Sequence, residues 1–226
     1  MSSLLDQERE PKMYPTNKYS WEELSNIILN QRDLSLLKRS KSQEHEYFGY
    51  SQQLRMQWNS TRDFILHVKF KLERVLIPLK DTIDSKRERS YNDLIANIRG
   101  TSTPIQIPTL PDIPLPATGF VWTTVPDTDH GKSEKVSRVL CRNDFPYYFQ
   151  NEIEHWIVWK YSQQETQDTI SMLDIEWGIQ QLRADECQSV GKVLDTLHWV
   201  NPPHLKSIQS VDHAHILCLR GKPEET

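Results

Sequence analysis

Between residues 101 and 116 the chain reads TSTPIQIPTLPDIPLP, with five prolines. No helix interior or central strand tolerates that spacing, because each proline removes a backbone donor and fixes its own φ. The stretch predicts an extended connector over residues 101–118, with isoleucines and leucines spaced to bury against a surface. It also divides the chain into two differently patterned halves.

Residues 1–18 read as a loose leader, and residues 19–100 as a helical region. SWEE places Ser20 and Glu23 as a capping box ahead of an apolar stripe of Trp21, Leu24 and Ile28. A second helical pattern carries Tyr47, Tyr50, Leu54 and Trp58 at spacings of three and four. Ser60 starts a third, through Phe64, Val68 and Leu72. These stripes are read as core seams. Residues 73–100 continue as charged, weakly helical text. Beyond the connector, 119–226 turns strand-rich: KVSRVLCR (135–142), EHWIVWKYS (154–162), LHWV (197–200) and DHAHILCL (212–219), with a helix over 173–187. The predicted class is α+β: an antiparallel sheet with helices, preceded by an N-terminal helical extension.

Charge excludes one class of partner. The chain carries 27 basic and 31 acidic residues, well mixed, for a formal charge of −4. The densest basic patches, KRSK (38–41) and SKRER (85–89), read as solvated loops, so no nucleic-acid polymer is expected. No apolar run approaches a membrane span or a signal peptide, and no membrane partner is expected. Cys141, Cys187 and Cys218 are far apart and form no CxxC pair. That pattern predicts a reduced, cytoplasmic protein.

The chemistry concentrates in IQSVDHAHILCLR (208–220). A strand alternates its faces, so His213, His215 and Leu217 share one side while Ala214, Ile216 and Cys218 share the other. The second side is wholly apolar and must meet a core. The imidazoles are then expected to face a cleft or solvent. A cupin-type metal site needs a glutamate three or four residues later, where the chain reads LCLR. An HxHxDH hydrolase needs Asp and His directly after. Neither is present, and no metal or other cofactor is expected. A histidine acting on phosphorus, with its neighbour setting the tautomer, remains beside the plain reading of two polar residues at a core edge. P-loop, GxGxxG and GxSxG motifs are missing from the sequence. Of the tryptophans, those at 122, 156, 159, 177 and 199 are the ones able to stack on a base or sugar ring, and core filling is their plainer role. His198 and His204 are read as structural.

QSVDHAHI resembles the end of the signature of histidine-triad nucleotide-binding proteins. There the middle histidine attacks the α-phosphate of a nucleotide conjugate and carries a nucleotidyl intermediate. The resemblance implies His215 as nucleophile, His213 as its supporting histidine and Ser210 as a phosphate contact. Asn201, in WVNPPHLKS, falls where that family has an asparagine. RNDFPYYFQNEIEHWIVWK resembles its earlier hairpin, which assigns His155 to the site and puts Asn143 or Asp144 near the nucleoside. Two positions depart: Leu217 stands for the third histidine, and PPHLK for the glycines of the phosphate turn. A binding-only or interaction role therefore stands beside the catalytic one. YSWEEL, LLKRS, LCRNDFPYYF, HWIVW, NPPHLKSI and VDHAHIL together resemble the fungal N-acetylglucosamine-induced protein family. That likeness implies a cytosolic protein and a nucleotide sugar such as UDP-N-acetylglucosamine as ligand, and leaves a homodimer open.

Overall fold

The alternation in the last strand is repeated by its neighbours, and that repetition builds the molecule. The computed structural model describes residues 13–79, 113–125, 136–162, 169–184, 191–208 and 211–221. The expected connector from 101 to 112, the leader's first twelve residues, residues 80–100, Cys187 and Ser210 lie outside them.

Four strands form an antiparallel sheet: β3 (Ser137–Arg142), β4 (Ile153–Tyr161), β5 (Val193–Trp199) and β6 (Asp212–Arg220). Their spatial order is β3-β4-β6-β5, so β6 lies inside the sheet. The strands read at 154–162 and 212–219 pair with each other, with Trp159 opposite His213 and Ile157 opposite His215. The strand expected at 197–200 begins earlier and carries a register shift between Val193 and Asp195.

Both faces of this sheet are covered. On one, helix Met172–Ala184 packs Ile175 and Leu182 against Val158, Ala214, Ile216 and Cys218. Gly178 lets it approach: a Cβ there would lie 2.5 Å from Val158 Cγ2 and 3.0 Å from Ile216 Cδ1. On the other, α1 (Trp21–Ser25), widening into a π turn over Asn26–Gln31, brings Leu24, Ile27 and Ile28 to Leu197, Trp199 and Leu217. Helices α2 (Lys41–Gln57) and α3 (Thr61–Phe70) bring Leu54, Phe64 and Ile65 to Ile157 and Trp159. The Met172–Ala184 helix is α4 in chain order among the described residues. The architecture is α+β, three layers deep.

Local signals explain the helix starts. Ser20 and Glu23 form the expected capping box, Ser60 caps α3, and Ser40 with Gln43 makes a second box ahead of α2. Residues 74–78, expected to stay weakly helical, instead form β1 (Arg74–Pro78), which pairs with β2 (Phe120–Thr124). Two β-branched residues and a leucine before Pro78 favour extended backbone, as does the restriction that proline places on its predecessor. Buried Asp63 ties this hairpin down, accepting from Thr123 Oγ1 at 3.2 Å and from Thr124 N at 3.1 Å. No helix among the described residues is long and apolar enough to cross a membrane.

Candidate functional site

The sheet face that carries the histidines is roofed by the N-terminal helices. His213 and His215, expected to face a cleft or solvent, line a cleft beneath that roof and are only 4% and 6% exposed. Period two assigned them to the correct side. Their burial follows because the helical extension packs on that side rather than standing apart. A cavity of about 180 Å³ remains between roof and floor.

The floor is a chain of hydrogen bonds. His155 Nε2 lies 2.9 Å from His215 Nδ1, and Asn201 Nδ2 lies 3.1 Å from His215 Nε2. The indole N–H of Trp199 donates to Asn201 Oδ1 at 2.9 Å. That donor fixes the rest. Asn201 must turn its amide N–H to His215 Nε2, so neutral His215 carries its proton on Nδ1 and donates to His155 Nε2. The Asn143 amide nitrogen sits 3.1 Å and 3.4 Å from the two nitrogens of His155. Near-equal distances place it over the ring face rather than along a lone pair, so it does not compete with this tautomer. Asn143 is held by its own backbone, its N–H donating to His155 O at 2.8 Å and its Oδ1 accepting from Phe145 N at 3.0 Å.

Aromatic rings seal the network. Trp199 stacks on His215 with centroids 4.8 Å apart and planes 10° apart, and Tyr147 stacks on His155 at 5.7 Å and 19°. Burial drives the His155 pKa down to about 3, helped by the charge of Arg39. It holds His215 well below the ordinary histidine value, with His155, His213 and Arg39 adding to the effect. Both rings are neutral at pH 7. His155 and His215 share one proton across their 2.9 Å contact. Among the described residues no cluster of His, Cys, Asp and Glu suits a metal.

His213 is held differently. Its Nδ1 donates to the Val211 carbonyl at 2.9 Å, which leaves Nε2 as the lone-pair nitrogen. Burial also lowers its pKa. A backbone carbonyl thus fixes the tautomer of His213.

Of the expected site residues, Asn143, Asn201, His213 and His215 line the cavity. His155 lies behind them, bonded to His215. Asp144 lines the cavity but is paired with Lys69 at 3.1 Å. Ser210 is outside the described residues. Sequence reasoning missed the roof. Arg39, in the KRSK patch read as a solvated loop, is half-buried. Its Nε and Nη2 donate to Phe145 O at 3.1 and 2.9 Å, and its guanidinium lies 4.4 Å from the Tyr47 ring centroid and 5.2 Å from that of Tyr147. The available signal was the cap: Ser40 starting a helix fixes the residue before it.

Residues 20–219 match the profile of the family described as "Protein of unknown function (DUF3605)". The chain belongs to that family. The DUF3605 match spans every element described above except parts of the termini. A comparison with curated proteins finds no match. One solved structure, titled "Crystal Structure of HTC1", is similar at 18% identity and a TM-score of 0.41, over 89% of this chain and 85% of that one.

Proposed function

We propose that this DUF3605 protein binds a small phosphate-bearing ligand of the nucleotide or nucleotide-sugar class in the cleft between the N-terminal helices and the sheet. Arg39 carries the reading. Two of its five N–H groups hold Phe145 O, and among the described residues the other three have no partner. A guanidinium stacked on tyrosines, half-buried and without a carboxylate is a prepared site for a phosphate oxygen. Tyr50, Phe145 and Trp159 supply apolar wall for a sugar or base. The likeness of the C-terminal half to histidine-triad proteins supports the same class, and the likeness to N-acetylglucosamine-induced proteins makes UDP-N-acetylglucosamine the first ligand to try. A cytoplasmic location accords with both.

Binding without turnover is the primary reading, because both nitrogens of His215 are committed within the protein. Nucleotidyl transfer is the second, and the fixed tautomer of His213 favours it. Its Nε2 lone pair would form the N–P bond as the bond from phosphorus to the leaving oxygen breaks, and that oxygen keeps the electron pair.

Calorimetry with UDP-N-acetylglucosamine and UMP tests the first reading. One site per chain is expected, weakened about tenfold or more by Arg39→Gln, the scale of a charge-assisted hydrogen bond. Failure of the whole nucleotide panel to bind would leave an interaction role for the helical roof. Quenching in alkali after incubation with labelled nucleotide separates the two readings: an acid-labile adduct on His213 establishes transfer.

A further inference from the structure

We infer that the ligand lies in this cleft with its anionic group at Arg39 and a neutral hydroxyl- or amide-bearing end against His213 and Trp159. This orientation is the reverse of one that sets phosphate against the histidines. The inference rests on the cleft being a site for phosphate-bearing ligands, and adds which end goes where.

The floor selects a neutral group. Trp159 and His213 are register partners on adjacent strands, with ring centroids 4.7 Å apart. His213 Nδ1 is spent on the Val211 carbonyl, so its Nε2 can only accept. The buried indole of Trp159 is directed toward the sulfur of Cys141 on β3, and its ring forms wall beside His213. The floor thus offers the ligand one acceptor, His213 Nε2. A hydroxyl or an amide N–H, which can donate to that nitrogen, satisfies it. A phosphate dianion offers acceptors only, and against the Nε2 lone pair it would leave a buried polar atom opposed to a negative charge.

The roof selects the anion. Lys69 is neutralised by Asp144 at 3.1 Å, and Arg142 by Glu154. Arg39 has no acidic partner among the described residues, and exposed Arg55 extends the same wall of the cavity. The ligand would then bridge the two layers, its charge on the helical segment and its neutral end on the sheet.

The experiment measures Kd by calorimetry for two pairs, uridine 5′-monophosphate with uridine and glucose 6-phosphate with glucose, and for inorganic phosphate. Each is measured on the full chain, on Arg39→Gln and on His213→Phe, with His213→Asn as the second variant if Phe prevents folding. The two pairs tell a nucleoside from a simple sugar as the source of the neutral end. In the wild type, removing the phosphate should weaken binding at least tenfold for the pair that fits. In Arg39→Gln the two members of that pair should bind within about twofold of one another. In His213→Phe both should weaken together and the phosphate preference should survive. If the preference survives in Arg39→Gln and vanishes in His213→Phe, the phosphate sits at the histidines and the orientation is overturned while the cleft remains a phosphate site. If no probe, inorganic phosphate included, binds the wild type, both the orientation and the reading beneath it fall.

Discussion

The two faces of β6 are built from alternate residues of one strand, yet they are held by different physics. Ala214, Ile216 and Cys218 meet α4 in an apolar cluster. His213 and His215, one residue away, are just as enclosed, but each ring nitrogen shown to be bonded has a named partner. Apolar burial is stabilising wherever it occurs. Polar burial is tolerated only when the partners come with it. One face tolerates shape changes badly, and the other tolerates missing partners badly.

Substitutions can break this contrast. A large effect is expected on the apolar face: Ile216→Ala, at a fully buried position, should cost about 2–5 kcal/mol in chemical denaturation. Ligand affinity in the folded variant should stay near that of the wild type.

On the polar face, His215→Ala should cost about 1–3 kcal/mol for each of the two groups it strands, Asn201 Nδ2 and His155 Nε2. Adding Asn201→Leu should cost less than the sum of the single changes, since the orphaned amide leaves with it. Strict additivity in that double-mutant cycle would mean that the hydrogen-bond chain is not a unit.

The third test is pH. Burial depresses the folded-state pKa values of His155, His213 and His215, His155 to about 3, against about 6.5 unfolded. The unfolded chain therefore binds protons first. Stability from these groups is complete above about pH 6.5 and is lost as pH falls below it, for His155 until about pH 3, at up to about 1.4 kcal/mol per pH unit for a histidine within its window. Denaturation midpoints measured from pH 7.5 to 4.5 should fall, and should fall less steeply in His155→Phe. A flat profile would mean that the rings are already solvated.

The smallest change is Gly178→Ala. Overpacking against stiff Val158 costs about 1–3 kcal/mol, and the gain in helix propensity returns about 1. A net loss near 1 kcal/mol is expected, as a lowered Tm. Stabilisation would show that α4 can lift off the sheet, and that the apolar face is less tightly fitted than its polar counterpart.

What could be read in advance followed the same division. Alternation in DHAHILCL assigned the faces, and Ser20 and Ser60 marked helix starts, because both signals are local. The tautomers of the imidazoles were not legible. That of His215 depends on Trp199 fixing Asn201, and Asn201 fixing His215 fourteen positions along the chain. No local pattern encodes a proton's place in such a sequence of donors. Arg39 escaped for a related reason. Its charge suggested solvent, and only the docking of residues 145–148 beneath it, where Tyr148 N–H donates to Lys38 O at 3.2 Å, makes it part of a wall. The strand at Arg74–Pro78 escaped because its partner, Phe120–Thr124, lies across the proline-rich stretch.

The strand order β3-β4-β6-β5 has a consequence for assembly in time. During synthesis the three N-terminal helices leave the ribosome well before the surface they cover exists. That surface includes Leu217 and Ile157, and β4 and β5 do not touch until β6 enters between them. The helices must therefore wait with their apolar stripes unburied while more than a hundred further residues are made. Closing such distant contacts makes folding slow, and the interval is one in which a holding chaperone has a substrate. Arrival of β6 completes the sheet and supplies His213 and His215 to the cleft in the same event. The cleft therefore cannot precede the fold, and an intermediate that lacks β6 has no floor beneath its helical roof.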